Sequence, residues 1–242
     1  MSQEMQKVDF LVIGAGIAGA SVSYWLAPHG RVAILERESQ PGYHSTGRSA
    51  ALYMASYGSE QVRALSLASR DFFDHPPKGF AEHALLTPRG ALMVAGSDQM
   101  DALNDHWSMI SAMGTGASRL TAEEVLALIP VFRPEKIAGG VLEPDAMGMD
   151  VHAIHQGFLR GARQYHAQIQ CNTEVLSIQR DESGWLVKTS TGIWHAAVVI
   201  NAAGAWADQI GHMAGTQSIG LQPCRRSAFT FKPQIESHFE HW

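Results

Sequence analysis

Apolar residues in this chain recur with two periods, and the points where the period changes mark out its elements. Val8 and the run Phe10, Leu11, Val12, Ile13 are almost unbroken by polar side chains, as expected of a strand buried on both faces of a parallel sheet. A helix over about 17–27 and a second apolar strand over 31–35 follow directly. Ser59 caps a helix carrying Val62, Leu65, Ala68 and Phe72 on one face, stopped by Pro76, Pro77, Lys78 and Gly79. Residues 85–95 read as strand, turn and strand about Pro88-Arg89-Gly90, and 98–113 as a helix ended by Gly114 and Gly116. Thr121 with Glu124 makes a capping box for a short helix. A further helix after Asp150 places Val151, Ile154, Phe158, Leu159 and Ala162 at helical spacing. Strands are predicted over 168–171, 175–180, 185–189, 194–200 and 225–231.

The first three elements form one unit with a chemical signature. Gly14, Gly16 and Gly19 lie at G-x-G-x-x-G spacing in the turn from strand to helix, and Glu36 ends the second strand. Gly14 permits the tight turn, Gly16 lets backbone approach a pyrophosphate, and Gly19 lets the helix pack closely. The helix N-terminus, with Ala18 in its first turn, aims N–H groups and dipole at phosphate. A carboxylate at position 36 can accept both ribose hydroxyls and would repel a 2′-phosphate. The ligand is therefore an unphosphorylated adenosine diphosphate, as in FAD or NAD. Residues 10–27 hold no charged side chain, which raises a membrane span as the alternative. Three clustered glycines, Asp9, Glu4 beside Lys7, and an immediate second strand argue instead for a globular core, and no signal-peptide pattern is present.

Composition narrows the partners. The formal net charge is −5 with no basic tract, so nucleic acid and anionic membrane are not expected partners. Cys171 and Cys224 lie far apart and read as buried free thiols in a reducing compartment, which places the protein in the cytoplasm or peripheral to the inner face of a membrane. The histidine pairs His152/His155 and His238/His241 lack the cysteines or carboxylates that would complete a metal site.

The segment after the second strand separates the two dinucleotides. Pro41-Gly42 is a turn, and Ser45, Thr46, Gly47, Arg48 and Ser49 form a small polar loop. A flavin, which continues past the first helix, needs such extra backbone donors; a nicotinamide does not. A second run of small residues, Asn201 to Ala205 after Val198, Val199 and Ile200, would let a flat cofactor lie against backbone. The stretches GAGIAGAS, ILER, GYHSTGRSAAL, HQGFLRGAR, NAAGAW and LQPCRRSAF together resemble the D-amino-acid oxidase family of FAD-dependent oxidoreductases, and within it the bacterial D-arginine dehydrogenase group.

The resemblance covers essentially the whole chain. It implies an α/β fold: a Rossmann-like FAD-binding domain (GR2-type) at 1–80 and 145–220, with an inserted, incomplete α+β substrate domain at 81–144 and 221–242. Residues implied to hold FAD are Gly14, Gly16, Ala18, Gly19, Glu36, Arg37, Ser45 to Ser49, Ala50, Ala51, Leu52, Val175, Ala203 and Gly204. Tyr57 matches a substrate-gating tyrosine, and Arg226 is a candidate for the substrate carboxylate. Two departures bear on specificity: Leu52 replaces a histidine, and Ala91 replaces the glutamate that recognises a cationic side chain. Neutral or apolar amino acids are therefore expected substrates, since a buried cation without a partner is costly. The family continues well beyond position 242, so the sequence is expected to be C-terminally truncated. The expected activity is oxidation of an amino acid at its amine carbon, with an unidentified electron acceptor. Two alternatives stand beside it: an inactive nucleotide-binding remnant or partner subunit, and an NAD-dependent dehydrogenase.

Overall fold

The structure, a computed structural model, describes residues 5–225, 227 and 229. Its elements in order are β1 Gln6–Ile13, α1 Ile17–Leu26, β2 Val32–Leu35, β3 Leu52–Tyr53, α2 Glu60–Asp74, β4 Leu86–Pro88, β5 Ala91–Ala95, α3 Met100–Ser111 and β6 Ser118–Thr121. There follow α4 Ala122–Leu128, β7 Gly139–Glu143, β8 Met147–Met149, α5 Val151–Gln164, β9 Gln168–Gln170, β10 Val175–Arg180, β11 Trp185–Thr189, β12 Ile193–Asn201 and α6 Ala207–Met213. They fall into two compact units, one of residues 5–49, 78–83 and 151–225, the other of 50–77 and 84–150. By packing, residues 81–83 and 221–225 fall in the first unit, and 50–77 and 145–150 in the second. There β3 completes a sheet with β8 and β4.

The first unit is built on a six-stranded sheet in the order β10-β11-β12-β1-β2-β9. β12, β1, β2 and β9 are parallel, whereas β10, β11 and β12 are antiparallel neighbours. Alternation along β1 sends Leu11 and Ile13 to one face, where they join Val187, Trp194 and Ile210 of α6 in a core. Val12 turns to the opposite face, toward Gly19 of α1. Leu11, Val12, Ala33, Ile34 and Val187 have no exposed surface. Each of the larger ones contributes about 1.5–3 kcal/mol of burial, so this sheet is a rigid base for the turns at its ends. Val198 is an exception to the predicted buried strand, with 44% of its surface exposed. Val199 beside it packs on the core, and alternation points Val198 away from that layer.

The second unit holds two three-stranded sheets, β3-β8-β4 and β5-β7-β6. The predicted strands on either side of Pro88-Arg89-Gly90 are present as β4 and β5, but they enter different sheets: β4 pairs with β8 and β5 with β7. α3 buries Leu103 and Ile110 against Ala95 and Val141. The Thr121–Glu124 capping box forms, with Thr121 Oγ1 accepting from Glu124 N at 3.2 Å and Glu124 Oε2 from Thr121 N at 2.7 Å. Ser59 Oγ caps α2 through Val62 N, yet the apolar stripe of that helix buries no residue among those described. Cys171 is half-buried and Cys224 exposed, both free, so the expectation of two buried thiols fails at Cys224. Burial pushes the Cys171 thiol upward, out of its reactive range. No helix among the described residues is long and apolar enough to cross a membrane.

Candidate functional site

The glycine turn between β1 and α1 is held by its neighbours, with Gly14 N donating to Leu35 O at 2.8 Å. Gly14 adopts φ +101°, and a Cβ there would stand 2.4 Å from the Ala202 carbonyl oxygen. Only glycine fits both the dihedral and the approach. A Cβ on Gly19 would collide with the Gly14 carbonyl oxygen, so this glycine sets the closeness of α1 to the turn. Gly16, the helix N-cap, is different: a Cβ there would meet only Thr46 Oγ1, at 3.3 Å.

Two segments fold back on this turn. Ala15 N donates to Glu36 Oε2 at 2.9 Å, while Glu36 Oε1 accepts from Glu38 N at 2.9 Å. The carboxylate at the end of β2 is thus fixed by two backbone donors, and its remaining lone pairs are left to other donors. The loop after β2 crosses the start of α1: Gly42 N donates to Ala15 O at 3.1 Å, Gly47 N to Gly42 O at 2.7 Å, and Thr46 Oγ1 accepts from Ile17 N at 2.9 Å. Ala18 and Gly19 lie in the first helical turn, where N–H groups have no intrahelical acceptor.

These pieces line an open cleft. Among the residues that line it are Gly14 and Gly16 of the turn, Glu36 and Arg37 after β2, Ser45 and Thr46 of the loop, Val175 at the start of β10, and Ala203 and Gly204 after β12. All nine were singled out from the sequence. Of the remaining candidates, Ala18 and Gly19 are on α1 beside the cleft, and Gly47, Arg48 and Ser49 continue the loop that lines it. Ala50, Ala51, Leu52 and Tyr57 belong to the second unit, with Leu52 40% and Tyr57 70% exposed. Arg226 lies outside the described residues, as do His238, His241 and most of the strand expected over 225–231.

Further residues at and beside the cleft were not assigned to the site from the sequence. Trp206 carries the Arg37 guanidinium 4.2 Å from its ring centroid and the His44 ring at 4.7 Å. Glu38 joins this group, with His44 Nε2 at 2.9 Å and Arg37 at 3.2 Å from Oε1. The His44 contact holds the Glu38 carboxyl below its usual range. Behind the glycine turn lies His155, 3% exposed, whose Nε2 meets Ala15 O at 2.9 Å. No group of three or more metal-ligating side chains occurs among the described residues.

In the second unit, Ala91 stands in register with Glu143 across β5 and β7. Glu143 is 4% exposed, and both of its oxygens lie within 2.8 Å of Ser56 Oγ. His106 Nε2 stands 3.3 Å from Oε1 without the alignment of a hydrogen bond. The carboxylate opposite Ala91 is therefore already engaged inside the unit.

A parallel sheet with a glycine turn, an acid fixed at the end of the second strand and a loop closing over the helix start define a dinucleotide-binding oxidoreductase unit of the flavoprotein type. The family model for FAD dependent oxidoreductases, DAO, matches residues 9–242, and the chain belongs to that family. Its curated relatives include glycine oxidase of Geobacillus kaustophilus (26% identical over 227 residues, 90% of this chain and 60% of that protein). L-2-hydroxyglutarate dehydrogenase of Escherichia coli K12 is 25% identical over 246 aligned positions, covering 96% of this chain and 56% of the relative. Mitochondrial dimethylglycine dehydrogenase of Rattus norvegicus is 24% identical over 212 residues, covering 86% and 25%. Among solved structures, glycine oxidase of Geobacillus kaustophilus superposes with a TM-score of 0.77 at 25% identity, covering 87% of this chain and 59% of that one. L-alpha-glycerophosphate oxidase of Mycoplasma pneumoniae, with FAD bound, shares the fold at a TM-score of 0.75 and 21% identity, covering 87% and 58%. The chain thus spans between a quarter and three-fifths of the length of these curated relatives. FAD is the family's cofactor, and the cleft suits its adenosine diphosphate half: a two-oxygen acceptor at one wall and a helix start at another.

Proposed function

We propose that this chain holds FAD in the cleft of its first unit and belongs to an enzyme that oxidises amino acids at the amine carbon. The observation that carries the reading is the Glu36 carboxylate, fixed by Ala15 and Glu38 N–H and facing a cleft that also receives the start of α1. Glu36 accepts the ribose hydroxyls, Gly16 and the α1 N-terminus face the pyrophosphate, and Val175 lies on the adenine side. Arg37, the loop from Ser45 to Ser49, and Ala203 and Gly204 serve the rest of the cofactor. When bound, FAD accepts a hydride; the substrate loses its Cα–H as that hydride and an N–H proton to solvent. The resulting imino acid takes up water to give keto acid and ammonia.

The protein's own task is placement. Tyr57 is proposed to gate the substrate and Arg226 to pair its carboxylate through two N–H groups. Leu52 and Ala91 remove the groups that would pair a cationic side chain, and Glu143, opposite Ala91, is occupied by Ser56. Neutral amino acids are therefore the proposed substrates, with D-amino acids the proposed stereochemical class. Relatives named for oxidation of glycine and dimethylglycine support amine chemistry. Relatives named for 2-hydroxyglutarate and glycerophosphate make alcohol oxidation the competing reading.

Anaerobic addition of single substrates to the FAD-loaded chain separates them. Bleaching of the flavin absorbance by neutral D-amino acids or glycine supports the proposal. Bleaching by hydroxy acids alone, or best by D-arginine and D-lysine, contradicts it.

A further inference from the structure

We propose that His155 is a positioning residue for the dinucleotide: as an Nε2–H donor it holds the Ala15 carbonyl, and through it the glycine turn, in the shape that receives the cofactor. The proposal rests on the cleft being the FAD site. It begins with the sequence of α5, where Gly157 and Gly161 are four apart and share one face. A Cβ at Gly157 would meet Phe80 ring carbons at 2.6 and 2.7 Å, and one at Gly161 would meet the Tyr24 ring of α1 at 2.3 Å. Gly161 therefore lets α5 approach α1, and Gly157 lets it approach the Phe80 segment, more closely than any other residue would. Tyr24, Phe80 and Phe158 interlock edge to face in the notch, with centroids 5.0–5.8 Å apart. Arg160 fixes the same place by donating to the Phe80 carbonyl.

This close packing brings a side chain from residue 155 to the turn at residue 15. Ala15 is the junction peptide of the site: its N–H binds Glu36, and its carbonyl accepts both His155 Nε2–H and Gly42 N–H. Gln156 Nε2 approaches His155 Nδ1 at 3.5 Å, which leaves Nδ1 as the acceptor and Nε2 as the protonated nitrogen. Gly42 is bare for the same reason, since a Cβ there would stand 2.9 Å from His155 Cε1. One imidazole thus touches the glycine turn and the loop that closes over it, two segments that line the cleft. A hydrophobic side chain could fill the space, but only a donor can hold the carbonyl.

The test uses the 242-residue chain with His155→Leu and His155→Gln, the latter retaining an N–H donor near the Nε2 position. FAD affinity is read by fluorescence titration, and amide hydrogen exchange at residues 14–19 and 42–47 is read without FAD. His155→Leu is expected to weaken FAD binding about tenfold, the scale of one hydrogen bond, and to speed exchange in both segments. His155→Gln is expected to restore affinity to within about threefold and to restore protection. Parent-like affinity and exchange in His155→Leu overturn the proposal, as does a glutamine variant as weak as the leucine one. Exchange decides the matter even if the parent fails to bind FAD, which would instead overturn the cofactor reading. Should His155→Leu not fold, the imidazole nitrogen shifts of the parent decide: protonated Nε2 is expected, and protonated Nδ1 contradicts the assignment.

Discussion

Replacing glycine with alanine inside a helix ordinarily stabilises a protein by about 0.5–1 kcal/mol; Gly161→Ala in α5 is expected to do the opposite. The new Cβ would lie 2.3 and 2.5 Å from Cε2 and Cδ2 of Tyr24, whereas non-bonded carbons rest at about 3.5–4.0 Å. The Tyr24 ring must then retreat by more than about 1 Å. Its retreat is opposed by Phe80 and Phe158, which pack on it edge to face at 5.8 and 5.5 Å. Overpacking costs about 1–3 kcal/mol; with a clash this deep the upper part of that range applies, which exceeds the propensity gain and leaves a net loss of about 1–2.5 kcal/mol. Equilibrium urea unfolding followed by far-ultraviolet circular dichroism measures it. A cycle with Tyr24→Leu should recover a coupling of about 1 kcal/mol, since the two side chains share one space. A Gly161→Ala protein as stable as its parent, or one with no coupling to position 24, would refute the notch and with it the reason His155 reaches Ala15.

Other expectations follow from the same geometry. Glu36→Gln keeps the side-chain shape but loses two charge-assisted contacts, and should weaken FAD binding at least about tenfold; unchanged affinity in a fluorescence titration would remove Glu36 from the site. Burial holds the His155 imidazole below its ordinary value of 6.5, with the Ala15 carbonyl opposing the shift. In the window below pH 6.5 the unfolded chain therefore binds a proton that the folded one refuses. Stability contributed by neutral His155 is complete above that pH and is lost as pH falls toward the lowered value. Urea midpoints from pH 7 to 5 should thus decline more steeply for the parent than for His155→Gln, and equal slopes would contradict this. Thr121→Ala should destabilise the second unit by about 1 kcal/mol through loss of the α4 cap, read as a lower urea midpoint.

The dinucleotide half of the molecule was legible because its constraints are local. Gly14, Gly16, Gly19 and Glu36 act within one β-α-β unit, where spacing along the chain fixes spacing in the fold, and all but Gly19 line the cleft. Caps were legible for the same reason, as at Ser59 and Thr121. What escaped was contact across long separations. Nothing around His155 in the sequence announces Ala15, 140 residues away, and the glycines that make the contact resemble ordinary helix interruptions. Trp206 and Arg37 meet in the same way only through the parallel sheet that brings the ends of β12 and β2 to one edge. In the second unit, the two strands flanking Pro88-Arg89-Gly90 were correctly placed along the chain but not in their sheets, because β-pairing is set by partners distant in sequence.

The most direct test of the central claim is whether the purified chain holds FAD in this cleft. The account predicts flavin absorbance in the purified or FAD-reconstituted protein, release of intact FAD on denaturation, and marked loss of binding in Glu36→Gln. A chain that stays colourless with added FAD, or that binds NAD in its place, would contradict it.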